Sequence, residues 1–386
     1  MKKALVVGCG LSGAVVAREL AEKGYQIKIL EKRNHIGGNM YDYVDEYGIL
    51  VHQYGPHTFH TRKKELFDYI SKYGEWDEYH LTCGAEINGI CTPTPFNYQT
   101  IDDFYTKDDA IKLKKEIERV FEGKYTATVV ETLNCGNKLV SDYAQFLFDN
   151  DYSLYTAKQW GVSPSEIDPS VLARVPLRFN YDIGYFDDEF QVMPRESFTK
   201  FFETLLDHQN IEVELNVDAL DYIEIVNENL FFDGEVVDYP VVYSGPLDEL
   251  FGSCYGELPY RSLRFEWKHE DIDSFQDMPV VAYPQAPDFV RIIEYKKLPV
   301  QDVNGTTYEV EYSLPYKNGE KNEPYYPLLT ETSQQQYDRY KRLAENVNNL
   351  YICGRLGDFK YYNMDQTLEK SLKIANDIIY SQKGRE

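Results

Sequence analysis

The chain has no C-x-x-C pair, and its six cysteines, at positions 9, 83, 91, 135, 254 and 353, follow no spacing that suggests a disulfide framework. Free thiols in a reducing compartment, and so a cytoplasmic protein, are the expectation. Nor does any stretch approach the roughly 18 continuous apolar residues of a membrane span. Lys2 and Lys3 lead straight into a glycine turn rather than an apolar leader, so neither a span nor a signal peptide is expected. Basic charge is scarce. With 40 Lys and Arg against 64 Asp and Glu, the formal net charge is -24 and no basic run offsets it. That excludes nucleic acid as a partner, and it requires particular arginines to hold any anionic ligand against the overall field. The histidines offer no metal set: His52, His57 and His60 lie close together, but no acid or cysteine joins them at ligand spacing.

What is present begins at the first strand. Ala4 to Val7 run into Gly8-Cys9-Gly10-Leu11-Ser12-Gly13, a helix is predicted from about Ala14 to Lys23, and a second strand from Gln26 to Leu30 closes on Glu31. In this βαβ unit Gly8 permits the tight turn, Gly10 lets backbone approach a pyrophosphate, and Gly13 lets helix and strand pack closely. The amides of Leu11 and Ser12 at the helix start receive phosphate, and Glu31, 23 residues after Gly8, is placed to accept from a ribose. Lys32 and Arg33, then Gly37, Gly38 and Asn39, follow at once. Basic residues and a glycine pair there suit a second close approach to an extended cofactor, which favours FAD over NAD. Near the other end, Leu350 to Ile352 reads as a buried strand stopping at Gly354-Arg355, before a helix from about Gln366 to Tyr380. A C-terminal segment of this kind completes the site in FAD proteins, with Arg355 as a further pyrophosphate cation.

At 386 residues the chain is too long for one simple core. The predicted fold is α/β: a discontinuous Rossmann-like FAD-binding domain over 1–78, 199–252 and 322–386, an inserted helical domain over 79–173, and an antiparallel sheet domain over 174–198 and 253–321. The helical part rests on apolar residues at helical spacing, such as Ala110, Leu113, Ile117 and Phe121, then Leu139, Val140, Tyr143 and Leu147. The second sheet rests on the strict alternation from Leu263 to Lys268 and on the strand-like runs Val290 to Tyr295 and Thr306 to Tyr312.

Further segments resemble one family, bacterial UDP-galactopyranose mutase. They are EKRNHIGGN at 31–39, HQYGPHTFHT at 52–61, YTAKQWG at 155–161, RVPLRF at 174–179, RIIEYK at 291–296, EPYYP at 323–327 and GRLGDFKYYNMDQ at 354–366. The resemblance covers most of the chain. It implies a flavoenzyme, homodimeric in bacterial members, that interconverts UDP-galactopyranose and UDP-galactofuranose for cell-surface polysaccharide with no net redox change. The flavin works in its reduced form, supplied by a cellular reductant, and its N5 forms an adduct with the sugar as UDP leaves. The same resemblance assigns Arg174 and Arg291 to the diphosphate and Tyr155 to uracil stacking, with Thr156 and Trp160 in the same pocket. Tyr185, Tyr325 and Tyr361 supply phenols to the diphosphate. His57 and Met364 lie at the flavin, and His60 follows His57 near the substrate. The residue types fit: a nucleotide sugar needs planar cations, a stacking surface and polar aromatics. The segment from Gly161 to Ala173, carrying Pro164 and Pro169, reads as a loop that a diphosphate bound by Arg174 could draw over the site, excluding water.

Three segments depart from the family pattern: Asn363 in place of an aspartate, Met193 to Ser197 in place of a glycine-rich turn, and 82–97, which lacks asparagines. Sugar identity therefore stays open among UDP-galactose, UDP-N-acetylgalactosamine and UDP-arabinose. An FAD amine oxidase and a non-catalytic flavin- or nucleotide-sugar-binding protein are the alternatives from other classes.

Overall fold

A computed structural model describes residues 2–161, 175–318 and 322–383. Its central element is a five-stranded parallel sheet in the order Ile211–Leu215, Gln26–Glu31, Lys3–Val7, Val241–Tyr243, Leu350–Ile352. The order reverses at Lys3–Val7, and the carboxyl end of a parallel sheet at such a switch point is where ligands bind. The helix Leu11–Ala21 is buried along nearly its whole length because the helices Met364–Lys383 and Phe198–Leu206 both pack against it. Its Ala, Gly and Val side chains are small enough to permit that three-way packing.

The helical part runs from Tyr98–Phe104 through Lys107–Val120, Val129–Leu133 and Lys138–Leu147. These helices start on Asn97, Thr106, Thr128 and Asn137, each of which accepts a hydrogen bond from a first-turn amide. A π-helical turn, Phe148–Tyr152, then feeds the helix Ser153–Trp160. Such turns interrupt helices most often at functional sites.

Against both stands a seven-stranded sheet in the order Tyr326–Pro327, Tyr260–Glu270, Thr306–Pro315, Arg291–Glu294, Val280–Ala282, Cys83–Ile87, Ile90–Thr94. Two sequence expectations are corrected here. Cys83–Ile87 and Ile90–Thr94 were assigned to the helical part, yet they form one edge of this sheet, because Cys83–Ile87 pairs in parallel with Val280–Ala282. The 174–198 segment was assigned to the antiparallel sheet. Instead Leu177–Arg178 pairs with Thr126–Ala127, and Phe190–Pro194 pairs with Phe59–Thr61 and Trp76–Glu78. Partners that distant in sequence leave no local trace. Among the described residues no helix is long and apolar enough to cross a membrane, no His, Cys, Asp and Glu group could hold a metal, and all six cysteines are free.

Candidate active site

The carboxyl ends of the parallel strands open into a cleft of about 1260 Å³ of empty space. Its walls carry Gly8, Gly10, Leu11, Ser12, Gly13, Glu31, Lys32, Arg33, Gly38, Asn39, His57, Arg355 and Met364, so the sequence-predicted cofactor residues come together. The glycines are required by contact. A Cβ on Gly13 would lie 1.9 Å from the Gly8 carbonyl oxygen, and one on Gly38, at φ +57°, would lie 2.8 Å from Gly10 Cα. No side chain caps the helix behind Gly10, so its first amides remain for a phosphate.

Glu31 is 5 % exposed, and its carboxylate also fastens the turn: Oε2 accepts from Cys9 N at 2.7 Å and Oε1 from Arg33 N at 2.9 Å. Burial first, and this carboxylate second, push the Cys9 thiol up to about 12, which leaves it inert. Arg33 is held in place by Asn39 Oδ1 and Glu323 Oε2, both at 3.0 Å, and lies over the Tyr54 ring. Burial alone would raise the Glu323 carboxyl, but Arg33 and Lys32 outweigh it and hold the group below its ordinary range. Glu323, Ser244 and Tyr362 share the cleft and were not read from the sequence.

His57 sits between this cleft and the seven-stranded sheet. Its Nδ1 lies 2.8 Å from Gly55 O, an atom that can only accept, so Nδ1 carries the proton and Nε2 is the acceptor. Burial, with the positive charges of Arg355 and Arg291 adding to it, lowers its pKa to about 4, and the ring is neutral at pH 7. Its backbone N–H donates to His52 Nδ1 at 3.0 Å. His52 is 1 % exposed and lowered by burial to about 3.

Arg291, on the strand Arg291–Glu294, faces this junction. Strand register puts it opposite Glu311, whose Oε2 accepts from Arg291 Nε at 2.9 Å and Nη2 at 2.7 Å. The Tyr155 and Tyr326 phenols feel the Arg291 charge, while burial raises both well above the ordinary value. Tyr326 stacks on Tyr361 at 5.4 Å, and Arg355 lies 4.8 Å over the Tyr361 ring.

The resemblance had assigned Tyr325 to the diphosphate. The structure places Tyr325 on the cofactor cleft beside Tyr54, and it is the next residue, Tyr326, that neighbours Arg291. A strand alternates its side chains, so a step of one residue exchanges the two faces. For His60, Nδ1 is bound by Asp188, the ring stacks on Phe186, and the residue does not line the cofactor cleft. Thr156 is buried on the helix Ser153–Trp160, and Tyr185 lies near enough to act on the Tyr155 phenol. Arg174, the 162–173 loop and the side chain of Trp160 lie outside the described residues. Glu309 and Glu311, both buried on the sheet face beside Arg291, were not read from the sequence.

A family profile described as UDP-galactopyranose mutase matches residues 151–361, and one described as an NAD(P)-binding Rossmann-like domain matches 6–73. A probable UDP-galactopyranose mutase of Klebsiella pneumoniae is 36 % identical over 100 % of this chain and 97 % of its own length. The chain belongs to the UDP-galactopyranose mutase family. A dTDP-fucopyranose mutase of Escherichia coli is also 32 % identical over 99 % of this chain and all of its own. A crystal structure of reduced UDP-galactopyranose mutase superposes with a TM-score of 0.72, covering 98 % of this chain and 96 % of that one; at 16 % identity it speaks for the fold alone.

Proposed function

We propose that the protein is a flavin-dependent mutase that interconverts the pyranose and furanose rings of a nucleoside-diphosphate sugar, UDP-galactose foremost. The observation that carries this is the placement of a planar cation, Arg291, beside Tyr155 and the stacked Tyr326–Tyr361 pair, next to a glycine-walled dinucleotide cleft. FAD fits that cleft: the paired glycines leave room for backbone to approach a pyrophosphate, and Lys32, Arg33 and Arg355 offset its charge. Bound and reduced, it supplies the nucleophile, so the reaction needs a reductant to begin and consumes no electrons.

The chain's own residues do the rest. Arg291, with Arg174, binds the diphosphate and stabilises the charge that grows on it as the anomeric C–O bond breaks. Tyr155, Thr156 and Trp160 hold the nucleoside, and Tyr326 and Tyr361 flank the diphosphate. His57, neutral and fixed through Nδ1, offers an acceptor at Nε2 without adding a second positive charge. Free cysteines suit a reducing compartment, and a homodimer and a cellular flavin reductant complete the reading.

The test is anaerobic incubation with dithionite and either UDP-galactofuranose or dTDP-fucofuranose, with the products separated by chromatography. Conversion of the UDP sugar to its pyranose supports the assignment. Conversion of only the deoxy sugar would move the protein to the specificity of its 32 %-identical relative, and conversion of neither would refute both sugar assignments.

A further inference from the structure

The strand Thr306–Pro315 carries two carboxylates, Glu309 and Glu311, on the face that meets Arg291. The register places Glu311 opposite Arg291 and Glu309 opposite Ile293, with Trp267 and Phe265 across from them on the next strand. Both acids are fully buried, 0 % exposed. Glu311 spends one oxygen, Oε2, on two Arg291 nitrogens, and its Oε1 has no partner among the described residues. Glu309 accepts from the Tyr295 hydroxyl at 2.8 Å through Oε1, while its Oε2 also has none. Arg291 keeps 21 % of its side chain exposed, and among the described residues no hydrogen bond uses its Nη1. One guanidinium thus faces one carboxylate that is hydrogen-bonded to it and a second that, among the described residues, is bonded to no cation.

Charge balance fixes what the second one must be. Facing Glu309 are Glu311 and Arg291 on its own sheet, Tyr295 from the turn after Arg291–Glu294, and Tyr43 from the strand Asp42–Val44, with His52 behind Tyr295. The tyrosines and His52 are uncharged at pH 7. Were both acids ionised, Glu309, Glu311 and Arg291 would together carry net charge -1 beside the position proposed for a diphosphate, with one cation among the described residues facing two carboxylates. With a proton on Glu309 the group is neutral, and the free edge of Arg291 is left to an incoming anion. Burial first, and the Glu311 charge second, both favour that proton.

We propose that Glu309 is a positioning residue for Arg291: its uncharged carboxyl leaves that arginine able to bind the substrate diphosphate, and loss of the one proton weakens that binding. The proposal rests on the assignment of Arg291 to the diphosphate. The proton goes to solvent, and nothing else is gained or lost. Because burial and the Glu311 charge raise the Glu309 carboxyl well above its ordinary value, affinity should decline as pH rises through that raised value, by up to tenfold per pH unit for one linked proton.

The test uses oxidised, FAD-loaded protein and UDP-galactose, with Kd measured by calorimetry from about pH 6 to 8.5, where neither its diphosphate nor its uracil imide changes charge. Wild type should show the alkaline loss, and Glu309→Gln, neutral at every pH, should bind like the neutral-pH wild type throughout. Tyr295→Phe removes a donor that favours the ionised form, so its alkaline loss should move to higher pH; a merely structural role would leave it in place. A flat wild-type profile, or an unchanged loss in Glu309→Gln, overturns the proposal, and should that variant not fold, an unshifted Tyr295→Phe profile does so. The double variant Arg291→Met/Glu311→Gln separates the two readings. Unimpaired UDP-galactose binding by it would refute the assignment of Arg291 itself, whereas lost binding with an unaltered pH profile in Glu309→Gln would refute only the role of Glu309.

Discussion

Gly10 and Gly38 belong to different segments, yet a Cβ on Gly38 would lie 2.8 Å from Gly10 Cα, whereas one on Gly10 would meet Gly38 Cα at an ordinary 3.6 Å. Gly10→Val should put a branched side chain where a pyrophosphate would approach the backbone, and the variant should purify without flavin. Absorbance at 450 nm checks it, and full flavin loading would remove the turn from the cofactor site. Arg291 is less simple than its motif suggests. Because Glu311 is fully buried beneath it, Arg291→Ala strands a carboxylate and should cost roughly 3–5 kcal/mol of stability by denaturant titration. Arg291→Met with Glu311→Gln should restore stability, while kcat stays down by on the order of 10²–10³ because the leaving diphosphate has lost its donor. Wild-type kcat in the double variant would place the diphosphate elsewhere.

At the scale of elements, the decisive piece is the helix Ser153–Trp160, which must present Tyr155 and Thr156 to a sheet it is not part of. Two cations tie it there. Lys158 Nζ donates to the carbonyls of Tyr283, Ala286 (2.8 Å) and Phe289 (2.9 Å), using all three of its protons on the turn that precedes Arg291. Arg261 and Ser313, from the seven-stranded sheet, donate to the carbonyl of Gln159 at the helix end. Lys158→Met keeps the stem but leaves three carbonyls without a donor, so it should cost roughly 1–3 kcal/mol. Since the same turn leads into the Arg291 strand, KM for the UDP sugar should rise more than kcat falls, with flavin content unchanged. Steady-state kinetics and urea titration check it, and an unaltered KM would show that the tether is structural only.

Across the whole molecule, the junction of the two sheets encloses neutral histidines, and that gives stability a definite pH dependence. His52, lowered to about 3 against an ordinary value of 6.5, binds fewer protons folded than unfolded between those values. Its contribution is therefore complete above pH 6.5 and lost as pH falls toward 3. By pH 5 the loss should reach roughly 2 kcal/mol. Denaturant titrations of FAD-loaded protein at pH 7 and 5 measure it. His52→Asn, which keeps an acceptor for the His57 N–H, should lack that share, and an equal decline in both proteins would place it in other groups.

The cofactor half was legible because its rules are local: a glycine turn, a helix start and an acid at a strand end act within about 30 residues of chain, and the far wall at Gly354-Arg355 follows the same logic. Family motifs carried Tyr155, Arg291 and Tyr361. The sequence therefore determined the dinucleotide fold, the family and most of the groups on the cleft. It did not determine which of Tyr325 and Tyr326 meets Arg291, since a one-residue step in an edge strand exchanges the faces and only pairing with Arg261 decides the register. Nor did it reveal Glu309 and Glu311, because Thr306 to Tyr312 reads only as a strand-like run with no sign of which residues are covered, whereas the folded strand is buried on both faces over Thr306 to Glu311. The partner of Glu311 lies 20 residues away on another strand. Burial on a second face, and pairing set by register between distant strands, are properties of packing, and they come into being only when the sheets meet.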